Sequence, residues 1–535
     1  MKLATEALDV SMDELEQPLE RVREPLGEDD YRKLKAAVNT LGYLTELVAD
    51  KETTIRQLRQ LLLGSASTEK TSAVMERAGI EAGEPSTDAK ADGDQKKDAK
   101  KPGHGRNGAG AYKGARKVQI AHQSLKRGDQ CPQCLKGKVY EQKEPVALVR
   151  VVGQAPLAAT VYELQSLRCN LCGDVFTADA PEQVGEEKYD ETAASMIAQL
   201  KYGSGMPFNR QENLEKNLGI PLPASTQWGI VEETAEVIKP ALDELIREAA
   251  QGEVMHNDDT SMKVLMLERE ECDERTGVFT TGIVAKTEEH KIALFFTGRR
   301  HAGENLADVL KRRAAGLSAP IQMCDALSRN SPNLGENIEI LLANCLAHSR
   351  RKFVEVAPNF PAECLHVLES LGEVYGYDAI AREQGMTVGE RLQFHKERSD
   401  PVMKELQKWL TAQLVEKKTE PNSGLGKAIS YLLKHWHKLT LFLRQAGAPL
   451  DNNICERALK KAVLHRKNAL FYRTLHGAQV GDLFMSLIHT CELNGAGSFD
   501  YLTELQRHAG ELAANPADWM PWNYRQTMAR PSGLA

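Results

Sequence analysis

No segment of the 535-residue chain approaches the roughly 20 consecutive apolar residues needed to span a bilayer, so no membrane partner is expected. The stretch from Met1 to Glu20 carries acids through its middle and lacks an apolar core. It is no secretory signal, and a cytoplasmic location is expected. A positive excess is also missing: 68 Lys and Arg against 75 Asp and Glu leave a net charge of -7. Taken alone, that sum argues weakly against a nucleic-acid partner. Of the 10 cysteines, Cys272, Cys324, Cys345, Cys364, Cys455 and Cys491 are scattered and read as small buried hydrophobes. Cys131/Cys134 and Cys169/Cys172 form close pairs, which in a reducing compartment means metal binding rather than disulfides.

Charge is unevenly distributed, and the distribution matters more than the sum. Between Lys96 and Arg127 the basic residues, among them Lys100, Lys101 and Arg106, are interrupted by the acid Asp98 and no other until Asp129. A second basic cluster, Arg457, Lys460, Lys461, Arg466, Lys467 and Arg473, follows Glu456. The length exceeds the ~250–300 residues at which one core stops growing, so several domains are expected.

Residues 1–63 read as an N-terminal helical region. Leu34, Leu41, Val48, Ile55 and Leu62 recur at heptad spacing, which predicts a coiled coil or helical hairpin and favours a homo-oligomer. Residues 64–117 are rich in Gly, Ala, Ser, Lys and Asp and read as a flexible basic linker, whose end at Lys100, Lys101 and Arg106 could touch DNA backbone. Residues 118–182 hold both Cys-x-x-Cys pairs, with strands expected over 146–166. That spacing describes a zinc ribbon in which Cys131, Cys134, Cys169 and Cys172 bind one Zn²⁺. Residues 183–250 read as helical. Arg210 to Leu218 is ended by Gly219, and Ser225 caps a second helix, the layout of a DNA-binding helix-turn-helix.

From Val254 the pattern changes to strands at 254–258, 262–266, 278–286 and 292–296, then a helix over 303–314 and a strand over 320–327. This order predicts an RNase H-like α/β domain over 251–490, with a mostly helical insertion at about 355–445 and a tail over 491–535. The whole is a multidomain α+β chain. Asp258 in the first strand and Asp325 after the helix fall on neighbouring strands of such a sheet. Glu456, on a helix whose start Asp451 can cap, supplies a third carboxylate. Oxygen ligands of this kind suit two Mg²⁺ or Mn²⁺ ions, which activate an attacking oxygen and stabilise a leaving one. Lys460, Arg466 and Lys467 on the same helix would face phosphates. The residues alone point to a metal-dependent phosphoryl-transfer enzyme.

Several stretches stand out together: Cys131-Pro132-Gln133-Cys134 with Cys169-Asn170-Leu171-Cys172, Met206-Pro207-Phe208-Asn209-Arg210-Gln211-Glu212, His256-Asn257-Asp258-Asp259-Thr260, Cys345-Leu346-Ala347-His348-Ser349-Arg350-Arg351-Lys352-Phe353, Asp451-Asn452-Asn453 with Glu456-Arg457 and Arg466-Lys467-Asn468, and Trp519-Met520-Pro521-Trp522-Asn523. On these the chain resembles the transposases of the insertion sequence 66 family over nearly its whole length. The resemblance implies that Asp258 rather than Asp259 is the first catalytic acid, in a triad with Asp325 and Glu456. On a strand, Asp259 should point to the opposite side. The resemblance further implies strand cleavage at the ends of a mobile element and joining of the freed 3′-hydroxyl to target DNA. Its partners would be duplex DNA bearing terminal inverted repeats, target DNA, and small companion proteins encoded by the same element. His348, Arg350 and Arg351 would contact the scissile phosphate or its flanking strand, and Arg457 lies in the block that holds the catalytic Glu. Two departures stand out: Asp325-Ala326-Leu327 replaces the family's Asp-Gly-Tyr, and Leu346 replaces a Trp. The alternatives are a DNA-binding regulator that has lost catalysis, which an intact triad argues against, and an RNA nuclease relative, which the extra N-terminal modules argue against.

Overall fold

A computed structural model describes Tyr31 and residues 120–140, 154–168, 170, 172, 174–181, 187–267, 275–335 and 338–530. The rest of the expected heptad helix, the linker with Lys100, Lys101 and Arg106, and Cys169 lie outside the described residues. The chain divides into two compact units, one containing residues 120–181 with 217–220, the other residues 187–216 and 221–530.

The smaller unit contains two short hairpins. In the first, Gln130 bridges Lys138 in antiparallel fashion, and Gly128 and Val139 close the outer rung. In the second, β1 (Ser166–Arg168) pairs antiparallel with β2 (Val175–Thr177). The strands expected over 146–166 are absent among described residues 154–165 and flank the second cysteine turn instead.

The larger unit opens with helices α1 (Glu191–Ala198), α2 (Phe208–Asn217) and α3 (Ala224–Ala249). Gly219, at φ +83°, makes the turn between α2 and α3. The expected Ser225 cap is displaced. Pro223 holds the cap position, and the Glu212 carboxylate accepts from Ala224 N–H at 3.1 Å. α3 turns an apolar face of Val231, Ala235, Ile238, Ala241 and Leu245 into the core.

The strands follow: β3 (Val254–Ser261), β4 (Val264–Met266), β5 (Phe279–Lys286) and β6 (Lys291–Gly298), then α4 (Ala302–Leu310), β7 (Ile321–Cys324) and β8 (Leu341–Asn344). The five-stranded sheet runs β6-β5-β3-β7-β8. β5 is antiparallel to β3 and β6, whereas β3, β7 and β8 are parallel. β7 is shorter than expected: it stops at Cys324, and a 3₁₀ turn at Ser328–Asn330 follows.

A run of helices comes next: α5 (Leu346–Val356), α6 (Pro361–Glu383), α7 (Val388–Val415), α8 (Gly424–Lys434) and α9 (Trp436–Leu439). Thr387 and Glu390 form a capping box at the start of α7. These helices share one apolar core with Val254, Ile321, Met323 and Ala343 of the sheet, so the insertion adjoins the strands. Then come α10 (Asn453–Ala469), β9 (Tyr472–Thr474), which pairs with β4, and α11 (Leu475–Leu493), α12 (Ser498–Arg507), α13 (Ala509–Ala514) and α14 (Tyr524–Met528). α11 covers β6 and also packs on α3. Its hydroxyls bond the strand backbone: Ser486 accepts from Phe295 N–H at 2.9 Å and Thr490 from Ala293 N–H at 3.0 Å.

The larger unit runs across residues 250 and 490. The expected tail is folded as far as residue 530: Trp519 is buried, and its carbonyl accepts the Tyr501 hydroxyl at 2.8 Å.

Candidate functional site

The central strand is unusual in what it buries. β3 reads Val-Met-His-Asn-Asp-Asp-Thr-Ser, and His256, Asn257 and Asp259 are buried along with Val254 and Met255. Buried polar groups need partners. His256 Nδ1 lies 3.0 Å from Asn452 Oδ1. Asn257 donates to Asn330 O at 2.8 Å and accepts from Gln322 at 2.8 Å.

Asp258 on β3 and Asp325, one residue beyond β7, stand side by side. The Asn330 amide donates to both, at 3.2 Å to Asp258 Oδ1 and 2.5 Å to Asp325 Oδ1. Burial, followed by the Asp325 and Asp259 charges, pushes the Asp258 carboxyl up to about 7. Asp259 points the other way, as strand alternation requires. Its side chain is almost fully enclosed, 3.0 Å from His301 Nδ1 and 3.2 Å from an Arg329 guanidinium nitrogen, and it accepts weakly from Ala302 N–H at 3.4 Å. One 3₁₀ turn thus serves both acids, Asn330 holding Asp258 and Arg329 holding Asp259.

Glu456 lies in the first turn of α10. Asn452 fixes that helix start: its backbone N–H reaches Cys345 Sγ at 3.2 Å, and its amide donates to Asn257 O at 3.1 Å. Asn452 occupies the N-cap position without a side-chain cap bond of its own, and the Asp451 carboxylate caps the start by accepting from Asn453 N–H at 3.1 Å. Close approach of α10 to the sheet depends on Gly282, paired with Asp258 in register. A Cβ there would come within 3.0 Å of Leu459. The far end is tied by Arg466, which bonds Thr260 at 3.1 Å and the Ser261 hydroxyl at 2.8 Å. Arg466 therefore braces β3 from a half-buried position, whereas Arg457, Lys460 and Lys467 are exposed.

Glu456 faces α5. Its Oε1 is 3.6 Å from His348 Nδ1, and its Oε2 is 3.9 Å from Arg351. Burial depresses the His348 imidazole, while Glu456 opposes that shift. Of the expected basic trio, Arg350 lies on the buried face of α5 at 6% exposure, while His348 and Arg351 face Glu456. Among the described residues, Cys345, His348 and Glu456 bring their ligand atoms within 4.8 Å of one another. Asp258 and Asp325 are not part of that grouping. The carboxylates suit a hard divalent cation by donor type: Asp258 is held above its ordinary range, and Glu456 Oε1 is buried with no hydrogen-bond partner.

In the smaller unit, the Cys131–Cys134 turn closes on backbone bonds, Cys131 N–H to Gly137 O at 2.7 Å and Leu135 N–H to Cys131 O at 2.9 Å. Gly137 N–H donates to Cys134 Sγ at 3.4 Å. Backbone donors at Gly137 and Lys136 lower the Cys134 thiol, favouring the thiolate that binds metal. Leu135 takes a left-handed φ of 52° to make this turn. Cys172 lies in the other turn, donating to Asp174 at 3.2 Å. Leu167, Val175 and Phe176 are exposed, so the second hairpin has little core of its own.

Sequence reasoning missed Asn330 and the role of Asn452. Asn452 sits in a quoted motif and could have been suspected. Asn330 is a lone amide in a turn with no motif around it.

The model of the family described as "Transposase IS66 family" matches residues 188–480. That is more than half of the chain, and the chain belongs to this family. The chain is also similar to three proteins of Sinorhizobium fredii (strain NBRC 101917 / NGR234). It is 26% identical to the uncharacterized protein y4jD over 521 residues, covering 90% of this chain and 96% of the relative. It is 27% identical to the uncharacterized protein y4hP over 358 residues, covering 63% of this chain and 62% of the relative. A similar match, 26% over 356 residues, is made with y4qI. No helix among the described residues is long and apolar enough to cross a membrane.

Proposed function

We propose that this transposase cuts the ends of its own element and joins them to target DNA on an RNase H-like domain, with Asp258, Asp325 and Glu456 as the catalytic acids. The observation that carries the reading is the pair of carboxylates, one on β3 and one just beyond the neighbouring parallel strand β7, bridged by the Asn330 amide. The strand order β6-β5-β3-β7-β8, antiparallel on one side and parallel on the other, supports the fold assignment. Two Mg²⁺ or Mn²⁺ ions held by the three acids would supply the charge that activates the attacking oxygen and stabilises the leaving one.

The chain's own residues do the positioning. Asn330 keeps two acids adjacent although they repel. Asn452 and Arg466 clamp the helix that carries the third. His348 and Arg351, beside Glu456, are placed to meet a phosphate, and exposed Arg457, Lys460 and Lys467 extend a basic surface along α10. Cys131, Cys134 and Cys172, with Cys169, would hold Zn²⁺ in the smaller unit. That module and the basic linker would recognise terminal inverted repeats, in a homo-oligomer and with companion proteins of the same element.

The test is cleavage of a duplex carrying the element's terminal repeat with Mg²⁺, for wild type and for Asp258→Ala, Asp325→Ala and Glu456→Ala, with binding followed in parallel. Each substitution is expected to abolish cutting and leave binding intact. Normal cutting by Asp325→Ala would remove that residue from the triad. Binding of the ends by wild type without cutting, with any divalent metal, would favour a regulator.

A further inference from the structure

The Cys345, His348 and Glu456 grouping has its own logic. Cys345 precedes α5 and His348 is in its first turn, so both ligands project from one helix start. Glu456 comes from the first turn of α10. The two starts are joined directly, Leu346 N–H to Leu450 O at 3.0 Å and Asn452 N–H to Cys345 Sγ at 3.2 Å. Two of the three ligand atoms, His348 Nδ1 and Glu456 Oε1, are buried, lack hydrogen-bond partners and face each other at 3.6 Å. A thiol, an imidazole and a carboxylate are the donors preferred by a borderline-soft cation, unlike the oxygen-only pair of Asp258 and Asp325.

We propose that Cys345, His348 and Glu456 form a separate site for a borderline-soft divalent cation of the Zn²⁺ type, which parks Glu456 away from Asp258 and Asp325. On binding, a bond forms from the metal to Cys345 Sγ and the thiol proton passes to solvent. His348 Nδ1 contributes its lone pair and Glu456 one carboxylate oxygen. Three protein ligands leave a coordination position open to water. Glu456 cannot serve fully in both places, so such a cation competes with Mg²⁺ for it and holds the enzyme inactive. This consequence rests on the cleavage reading, whereas the site itself does not.

Two measurements test it on the full-length, zinc-replete protein. Co²⁺ is the first probe, because a cobalt–thiolate bond absorbs in the near ultraviolet. Wild type should take up one more thiolate-bound Co²⁺ than Cys345→Ser or Cys345→Ala, the other cysteines being common to all. His348→Ala should weaken this uptake at least about tenfold, since even residues behind the ligands commonly cost that much. Serine retains an acceptor for Asn452 N–H, and circular dichroism identifies any variant that fails to fold. Equal uptake by folded wild type and variants would overturn the site. The second measurement is Mg²⁺-supported cleavage during Zn²⁺ titration. Cys345→Ser should need at least about ten times more Zn²⁺ for half-inhibition; equal sensitivity would overturn the parking of Glu456. A wild type that binds Co²⁺ through Cys345 but never cleaves would sink the proposed function and leave the site standing.

Discussion

Removing the charge of Asp258 should stabilise the protein in the absence of a divalent cation at the acids. Its carboxyl is raised from 3.8 to about 7, first by burial and then by Asp325 and Asp259. The folded chain therefore keeps a proton that the unfolded chain has lost across the window from about 4 to 7. Stability falls as pH rises through that window and levels off above it. About three pH units at ~1.36 kcal/mol each set a ceiling of ~4 kcal/mol. Asp258 is only partly buried and shares its repulsion with Asp325, so about 2 kcal/mol is the expected gain for Asp258→Asn. Asparagine retains an oxygen for the two donors Asp258 now satisfies, Asp259 N–H at 2.8 Å and the Asn330 amide at 3.2 Å. Urea denaturation of both proteins, without Mg²⁺ but with zinc retained, measures the gain. It should be largest at about pH 8 and shrink towards about pH 4, and added Mg²⁺ should close the gap by stabilising wild type selectively. A variant less stable than wild type at about pH 8, or a difference independent of pH, would refute the reasoning.

Asp259→Ala should destabilise the fold by about 2–3 kcal/mol in the same assay, because it strips an enclosed carboxylate from His301 and Arg329, both of which retain some solvent. A loss under about 0.5 kcal/mol would show that the acid holds nothing, and the expected loss disqualifies this variant as a neutral control for cleavage. Asn330→Leu should reduce cleavage of terminal-repeat DNA by about a hundredfold with DNA binding unchanged, since small misplacements of reacting groups cost on that scale. Undiminished cleavage would show that the shared amide is dispensable. Leu135→Gly should relieve about 1 kcal/mol of left-handed strain and slow zinc loss to a chelator; faster loss would count against the turn as a metal knuckle.

The order of strands and helices was legible because hydrophobic periodicity changes visibly at Val254, and the sheet follows that order. The acids on β3 and beyond β7 were legible as a pair for the same reason. Arg350 was not: the sequence shows three cationic or titratable side chains on one helix, and only packing decides which of them turns inward. The C-terminal segment, expected as a tail over 491–535, carries short helices. Their apolar positions, including Tyr501, Leu505 and Trp519, complete a core begun by α1 and α3 some three hundred residues earlier, a pairing local pattern cannot reveal. The tie from Arg466 to Thr260 and Ser261 was not legible either, since nothing in the local sequence shows which strand lies beneath the end of α10.

The bond from Leu346 N–H to Leu450 O has a consequence for how such chains can change. The polypeptide departs from the sheet and comes back to it at a single clasp, so the excursion over residues 347–449 begins and ends at one point in space. Lengthening, shortening or exchanging that excursion need not alter the separation of Asp325 and Glu456, provided the clasp and the apolar seam beneath it survive. The sequence interval between Asp325 and Glu456 is thus free to drift as a ruler, while the point at which the chain returns is inherited from two helix starts tied together.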